Sequence, residues 1–285
     1  MLRSISITLE MIKFQHTVFA LPFAFLAAVT AAGGIPAGRT IVWILVAMVG
    51  ARSAAMAFNR LADADIDAEN PRTAGRALPA GLVSKRFVVF FTVVSIVLFI
   101  VASWMLNRLA FFLSPVALAV ILGYSFTKRF TYASHFFLGL ALGIAPVGAW
   151  IAVRDSIDPG ILLLSASVLS WTAGFDILYS LQDLDFDRSR ELFSIPARFG
   201  PVRAFALARS LHLLTVVGLV GFGLSFSFGT LYWVGVAAAI ALLVWQHSIV
   251  SPNDLSRLDA AFFTANGVLS IILFIFGTAD RIVAG

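Results

Sequence analysis

Two short stretches hold the acidic residues whose types and spacing could do chemistry. In "NRLADADIDAENPRTAGR", Asn59, Asp63 and Asp67 recur every fourth residue, and in "DILYSLQDLDFDRSR" Asp176 is followed by Asp183 and Asp187. Side chains three or four residues apart share one helix face, so each stretch presents a pair of carboxylates one turn apart, while Asp65 and Asp185 point elsewhere. Like charges at that spacing repel, and two such helix ends side by side would repel more. Divalent cations resolve the conflict. An all-oxygen donor set of Asn59, Asp63, Asp67, Asp183 and Asp187 suits Mg²⁺, which keeps several waters and bridges carboxylates to phosphate oxygens. A calcium loop of the EF-hand type is excluded. It requires Gly at position six and Glu at position twelve, where the two copies have Ala68 and Ala74, and Arg188 and Ser194.

Basic and aromatic residues accompany both acidic stretches. Arg72 and Arg76 follow the first, Tyr124, Lys128 and Arg129 lie in "GYSFTKRF", and Arg188 and Arg190 close the second. Guanidinium and ammonium groups bind phosphate oxygens, so Arg72, Arg76, Lys128 and Arg129 are candidates to hold the spare oxygens of a metal-bound diphosphate. Tyr124 and Tyr179 are the candidates for aromatic faces that stabilise a cation. Arg52 and Asp176 each stand seven residues before Asn59 and Asp183, roughly 10 Å deeper along a helix. Ionisable groups at such depth usually face a cavity. They are candidates to pair with each other, or Arg52 to receive a carboxylate on an acceptor substrate. At an offset of 124 residues Asn59 and Asp63 match Asp183 and Asp187, which suggests two similar arms facing one cavity.

The elements that must position these residues are strongly apolar. The chain has 285 residues, 60% hydrophobic and 12% charged, about half the charged fraction usual for a soluble domain. This is the composition of a polytopic membrane protein. Apolar runs long enough to span a bilayer fall at about 16–33, 41–61, 87–106, 109–124, 134–153, 160–182, 203–224, 230–249 and 258–278. The first reads as a retained membrane helix rather than a signal peptide. The expectation is an all-α integral membrane protein, one polytopic unit over 1–285, with about nine transmembrane helices around a central cavity.

Lys and Arg set the orientation. With the N-terminus inside, fifteen of them, from Arg3 and Lys13 to Arg257, fall on one side, and only Arg39, Arg108, Arg154 and Arg281 on the other. This places the N-terminus and both acidic stretches on the cytoplasmic side of the cell (inner) membrane and the C-terminus outside. The net charge of +5 is then a topology signal and gives no reason to invoke nucleic acid. There is no cysteine, which removes thiolate chemistry and Cys-ligated metals. The four histidines, at 16, 135, 212 and 247, show no ligand spacing, and His16 reads as an interfacial residue. A cation-coupled transporter is the competing class, since transporters also place acids within membrane helices. Acids at helix ends on one membrane face argue against it.

These motifs resemble the UbiA superfamily of intramembrane aromatic prenyltransferases. Asn59, Asp63 and Asp67 match its first motif, N-[DR]-x-x-D-x-x-x-D, Asp183 and Asp187 its second, D-x-x-x-D, and Tyr124 and Lys128 its Y-x-x-x-K element. Arg60 stands where many members have Asp. "NPRTAGRALPAG" and the second acidic stretch look like the bacterial 4-hydroxybenzoate polyprenyltransferase-like branch, part of which is associated with menaquinone synthesis by the futalosine route. The resemblance implies Mg²⁺-dependent transfer of a polyprenyl group from polyprenyl diphosphate to an aromatic acid, 4-hydroxybenzoate or 1,4-dihydroxy-6-naphthoate, in respiratory quinone synthesis. Asp63 and Asp183 are both candidates to take the ring proton. Other branches of the superfamily, with different acceptors, are the nearest alternatives.

Overall fold

A computed structural model describes residues 19–284 of the chain. Arg3, Lys13, His16 and the start of the first expected span lie outside the described residues. Nine apolar helices follow: α1 (Leu21–Ala32), α2 (Gly38–Ala62), α4 (Lys85–Leu106), α5 (Arg108–Thr127), α6 (Ser134–Arg154), α7 (Pro159–Tyr179), α9 (Ile195–Ser225), α10 (Thr230–Ser248) and α11 (Asn266–Ala284). Two short helices, α3 (Ala64–Glu69) and α8 (Leu184–Ser189), sit at the ends of α2 and α7. Among the described residues eight helices are long and apolar enough to cross a membrane, and α1, at 12 residues, is shorter. About nine membrane helices was the expectation, and the protein is an integral membrane protein.

Local sequence sets the helix starts. Ser84, Asn107, Asp158 and Ser194 each accept a hydrogen bond from a first-turn amide of α4, α5, α7 and α9, satisfying a donor that the helix itself leaves open. The 31 residues of α9 contain a break: Gly200 has φ 79° and ψ 166°, a left-handed φ that glycine adopts without steric cost. The expected span at 203–224 is therefore the second part of α9, and its first turns turn aside before Pro201.

Helix α7 is the centre of the bundle, packed between α6 and α9, while α2 packs on α4 and α1 lies against α6 and α11. Small residues bring these backbones together. A β-carbon on Gly143 would meet the Ser165 carbonyl of α7 at 2.9 Å, and one on Gly50 would meet the Phe99 amide of α4 at 2.9 Å. Helices in lipid gain little from hydrophobicity and associate through such close contact. An aromatic core of Phe23, Trp171, Phe175, Phe222 and Tyr232 fills the space between α1, α7, α9 and α10. The Trp171 indole donates to Asn266 Oδ1 at 2.9 Å. This core fixes α7, and with it the second acidic arm.

The two arms share a backbone device that helical periodicity does not anticipate. Helix α2 stops at Ala62, Asp63 takes φ −98° and ψ 6°, and the chain re-enters a helix at Ala64. At the end of α7 a 3₁₀ turn, Ser180–Asp183, leads to Asp183 at φ −103° and ψ 9°, and helix resumes at Leu184. The matching pairs are thus Asp63 with Asp183 and Asp67 with Asp187. The offset is 120 residues and not the 124 that the motif spacing suggested, a correction of one helical turn.

Candidate active site

The two breaks face each other across a cavity of about 870 Å³. Asn59, Asp63, Asp67, Arg72, Arg76, Tyr124, Lys128, Asp176, Tyr179, Asp183 and Asp187 all line it. Three contacts tie the arms together. The Asn70 amide donates to Asp183 Oδ1 at 2.9 Å, Arg72 grips the same carboxylate with Nε on Oδ1 at 2.8 Å and Nη2 on Oδ2, and Arg190 pairs with Glu69. The segment after α5 that carries Lys128 joins them, because the Phe193 amide, just past α8, donates to the Lys128 carbonyl at 2.8 Å.

Both motif carboxylates of the first arm are buried, Asp63 at 3% and Asp67 at 4% exposure. Burial of bare charge is costly, and both are compensated by cations. Lys128 Nζ lies 2.7 Å from Asp63 Oδ2, and the Asn59 amide donates to the same oxygen at 3.1 Å. Arg129 hydrogen-bonds the Ala62 carbonyl that ends α2, with its guanidinium 3.8 Å from Asp63 Oδ1. Arg76 Nη1 contacts both Asp67 oxygens at 2.7 and 2.8 Å, and buried Arg60 stands 3.5 Å from the same group. Arg60, noted in the sequence only as the loss of an acidic ligand, is here a counter-charge. In the second arm Asp183 has Arg72 and Asn70, while Asp187 forms no ion pair among the described residues and feels Lys128 and His135 only at longer range. Burial works against the Arg72 charge, but the paired Asp183 outweighs it and raises the Arg72 pKa above its ordinary value. Asp65 is exposed at 98% and makes only a 4.0 Å contact with Lys85.

The structure keeps two deep residues apart that the sequence offered as a pair. Asp176 hydrogen-bonds His135 Nδ1 at 2.7 Å, and no ion pair joins it to Arg52 among the described residues. Arg52 instead stands where the polar cavity meets a second, apolar one of about 420 Å³ between α2, α4, α5 and α6; Met56, Tyr124, Leu138 and Leu142 line both as well. Its Nε is buried without a hydrogen-bond partner. Tyr179 packs on Phe262 with ring centroids 4.1 Å apart, and the Arg72 guanidinium lies 5.6 Å from the Tyr179 ring centre. Phe262 and Phe263 belong to a π-helical turn, Ala260–Ala265, that precedes α11 and forms part of the wall.

Sequence reasoning passed over Asn70, His135 and the Phe262–Phe263 wall. Asn70 had a signal, standing in a polar turn between two motif residues. His135 had none, since its partners lie 41 and 60 residues away.

No three acidic or imidazole side chains converge as a preformed metal cage among the described residues. The donor chemistry nevertheless fits a hard cation. The candidate ligands present oxygen alone, and Asp63 Oδ1 is buried with no hydrogen-bond donor, its nearest cation being Arg129 at 3.8 Å, so a bound metal ion would satisfy it.

Fold and site together define an integral membrane protein with a charged cavity at one end of a helical bundle that meets an apolar cavity within it. Comparison with known proteins agrees. The UbiA prenyltransferase family model matches residues 20–268, and the chain belongs to that family. The chain is 34% identical over 240 residues to the 4-hydroxybenzoate octaprenyltransferase of Aliivibrio salmonicida, covering 84% of this chain and 83% of that one. It is 31% identical over 245 residues to the enzyme of the same name from Vibrio cholerae, covering 85% of each. The apo structure of a UbiA homologue from Aeropyrum pernix superposes with a TM-score of 0.83 at 33% identity, covering 95% of this chain and 98% of that one. A UbiA homologue from Archaeoglobus fulgidus, solved bound to DMAPP and Mg²⁺, shares the fold with a TM-score of 0.69 at 21% identity, covering 98% and 99%. The protein is a prenyltransferase, and the transporter alternative is set aside.

Proposed function

We propose that the protein transfers a polyprenyl group from polyprenyl diphosphate to the ring of 4-hydroxybenzoate, releasing diphosphate, as a step of respiratory quinone synthesis. The observation that carries this is the meeting of two carboxylate arms, ringed by Arg and Lys, at a cavity that continues into an apolar one. The names of the curated relatives favour 4-hydroxybenzoate over the dihydroxynaphthoate acceptor.

Asn59, Asp63, Asp67, Asp183 and Asp187 would hold Mg²⁺, in keeping with the Archaeoglobus homologue's bound DMAPP and Mg²⁺. Bound cations would neutralise negative charge on the diphosphate as it leaves. Arg72, Arg76, Lys128 and Arg129 bind the remaining oxygens and stabilise the same charge. These four now pair with the acidic residues, so substrate entry exchanges internal ion pairs for contacts with diphosphate. The polyprenyl tail lies in the apolar cavity, where each buried methylene contributes about 0.8 kcal/mol. Tyr124 and Tyr179 offer ring faces to the allylic carbon as it gains positive charge. Arg52, a cation with an unpaired Nε at the junction of the two cavities, receives the acceptor's carboxylate.

The Lys and Arg distribution supports an active site on the cytoplasmic side of the cell (inner) membrane, with the N-terminus inside and the C-terminus outside. The test supplies membranes containing the protein with a polyprenyl diphosphate, Mg²⁺ and both acceptors, and identifies products by mass. Prenylated 4-hydroxybenzoate with stoichiometric pyrophosphate is the expected result. Prenylated dihydroxynaphthoate alone would move the protein to the other acceptor, and no pyrophosphate release would end the proposal.

A further inference from the structure

Asp63 and Asp183 were both candidates to take the ring proton, yet the structure commits each of them elsewhere. Asp63 is held by Lys128 and Asn59, and Asp183 by Arg72 and Asn70. A carboxylate so covered by cations is a weak proton acceptor. Among the other carboxylates that line the cavity, Asp176 stands about two turns before Asp183 on α7, farther along the helix from the motif end.

Asp176 is held on one side only. His135, in the first turn of α6, is buried at 4% side-chain exposure and places Nδ1 2.7 Å from Asp176 Oδ2. The Ile195 amide, at the start of α9, donates to His135 Nε2 at 3.3 Å. That second contact fixes the tautomer. With Nε2 accepting, the neutral ring carries its proton on Nδ1 and donates it to Asp176. Three helices thus join to aim one carboxylate. Oδ1 of Asp176 has no hydrogen-bond partner among the described residues, and the side chain is 25% exposed, within the cavity wall. Arg52 and Tyr124 line the same region.

We infer that Asp176 is the proton acceptor of the reaction and that His135 is its positioning residue. The inference rests on the transfer reading given above. The ring carbon ortho to the acceptor's hydroxyl forms a bond to the allylic C1 while the C1–O bond breaks, its electron pair leaving on the diphosphate. The proton on that ring carbon then passes to Asp176 Oδ1, and the C–H pair restores aromaticity. His135 donates to Oδ2 throughout, so Oδ1 stays turned toward the ring. A histidine that donates to a carboxylate while its other nitrogen is occupied acts by orientation, and it need not itself change charge.

The test measures steady-state kinetics with polyprenyl diphosphate, Mg²⁺ and 4-hydroxybenzoate, either ordinary or deuterated at the ring positions ortho to the hydroxyl. His135→Phe removes both hydrogen bonds, and His135→Gln keeps a donor for Asp176 and an acceptor for the Ile195 amide. General-base catalysis supplies about 10²–10⁴-fold, so Asp176→Asn should lose at least about a hundredfold in kcat. On the same scale, His135→Phe should lose roughly tenfold or more in kcat with the donor KM within about twofold. In His135→Phe, proton removal becomes slow enough for deuterated acceptor to turn over about two- to fourfold more slowly than ordinary acceptor, and His135→Gln recovers most of the lost kcat. A merely structural histidine would give no isotope effect. Unchanged kcat in His135→Phe, or loss without an isotope effect, or no recovery in His135→Gln, would each overturn the inference while wild-type turnover stood. Absence of product from the wild type would instead overturn the transfer reading, and the inference with it.

Discussion

The two arms carry the same carboxylate spacing on the same broken-helix backbone, but they are neutralised differently. In the first arm Asp63 and Asp67 are buried and surrounded by Lys128, Arg129, Arg76 and Arg60. In the second, Asp183 takes Arg72 and Asn70 from the first arm's own loop, and Asp187 forms no ion pair among the described residues, with Lys128 and His135 acting on it only at longer range. The first arm therefore contributes to the fold as well as to the site, whereas the second is held more loosely and depends on the first for its counter-charge. The depths differ as well. Eleven residues before Asp63 the first arm carries a cation, Arg52, and seven residues before the matching Asp183 the second carries an anion, Asp176, so opposite charges line one cavity at different depths on its two walls.

The comparison can be broken most sharply at the two matched aspartates. Asp63→Ala and Asp183→Ala should each lower turnover by about a thousandfold, the scale of losing a charge-stabilising group; a variant with near-normal pyrophosphate release would remove its arm from the site. Chelation with EDTA should have a similar effect on the wild type, reversed by added Mg²⁺. Activity that survives chelation would leave the basic residues alone to hold the diphosphate. Stability should separate the arms next. Asp67→Asn leaves buried Arg60 without its counter-charge and should cost about 3 kcal/mol, seen as a lower unfolding temperature in detergent, while Asp187→Asn should leave that temperature almost unchanged. Equal shifts would show that the arms are equally structural. Arg72→Lys keeps the charge but loses the two-point grip on Asp183; an increase in donor KM of about tenfold is expected, equivalent to roughly 1.4 kcal/mol. Asp65→Ala, on the exposed side of α3, should change turnover by less than about twofold, since surface substitutions rarely matter. A larger loss there would mean that the helix-face assignment is wrong.

Much of this arrangement was legible in the order of residues. Long apolar runs identify membrane helices because bilayer thickness fixes their length, and the nine expected spans correspond to α1, α2, α4 to α7 and α9 to α11. The carboxylate faces were legible because helical periodicity is local, and exposed Asp65 lies where that periodicity puts it. Two local details were not. The breaks at Asp63 and Asp183 shift the register of the arms by a turn, and the turn at Gly200 separates the start of α9 from its span. Each depends on φ and ψ at a single residue, which composition and periodicity average away.

The sequence by itself determined that the protein is a helical membrane bundle with two acidic helix ends and a basic rim, because hydropathy, period and charge are properties of neighbouring residues. Only tertiary structure decided which partner each charge takes. Asp176 goes to His135 instead of Arg52, Asp183 to Arg72 and Asn70, and Asp67 to Arg60 and Arg76. The physical reason is separation along the chain. Ion pairs and hydrogen bonds act over a few ångströms, and residues up to 113 positions apart reach that distance only after the helices have packed.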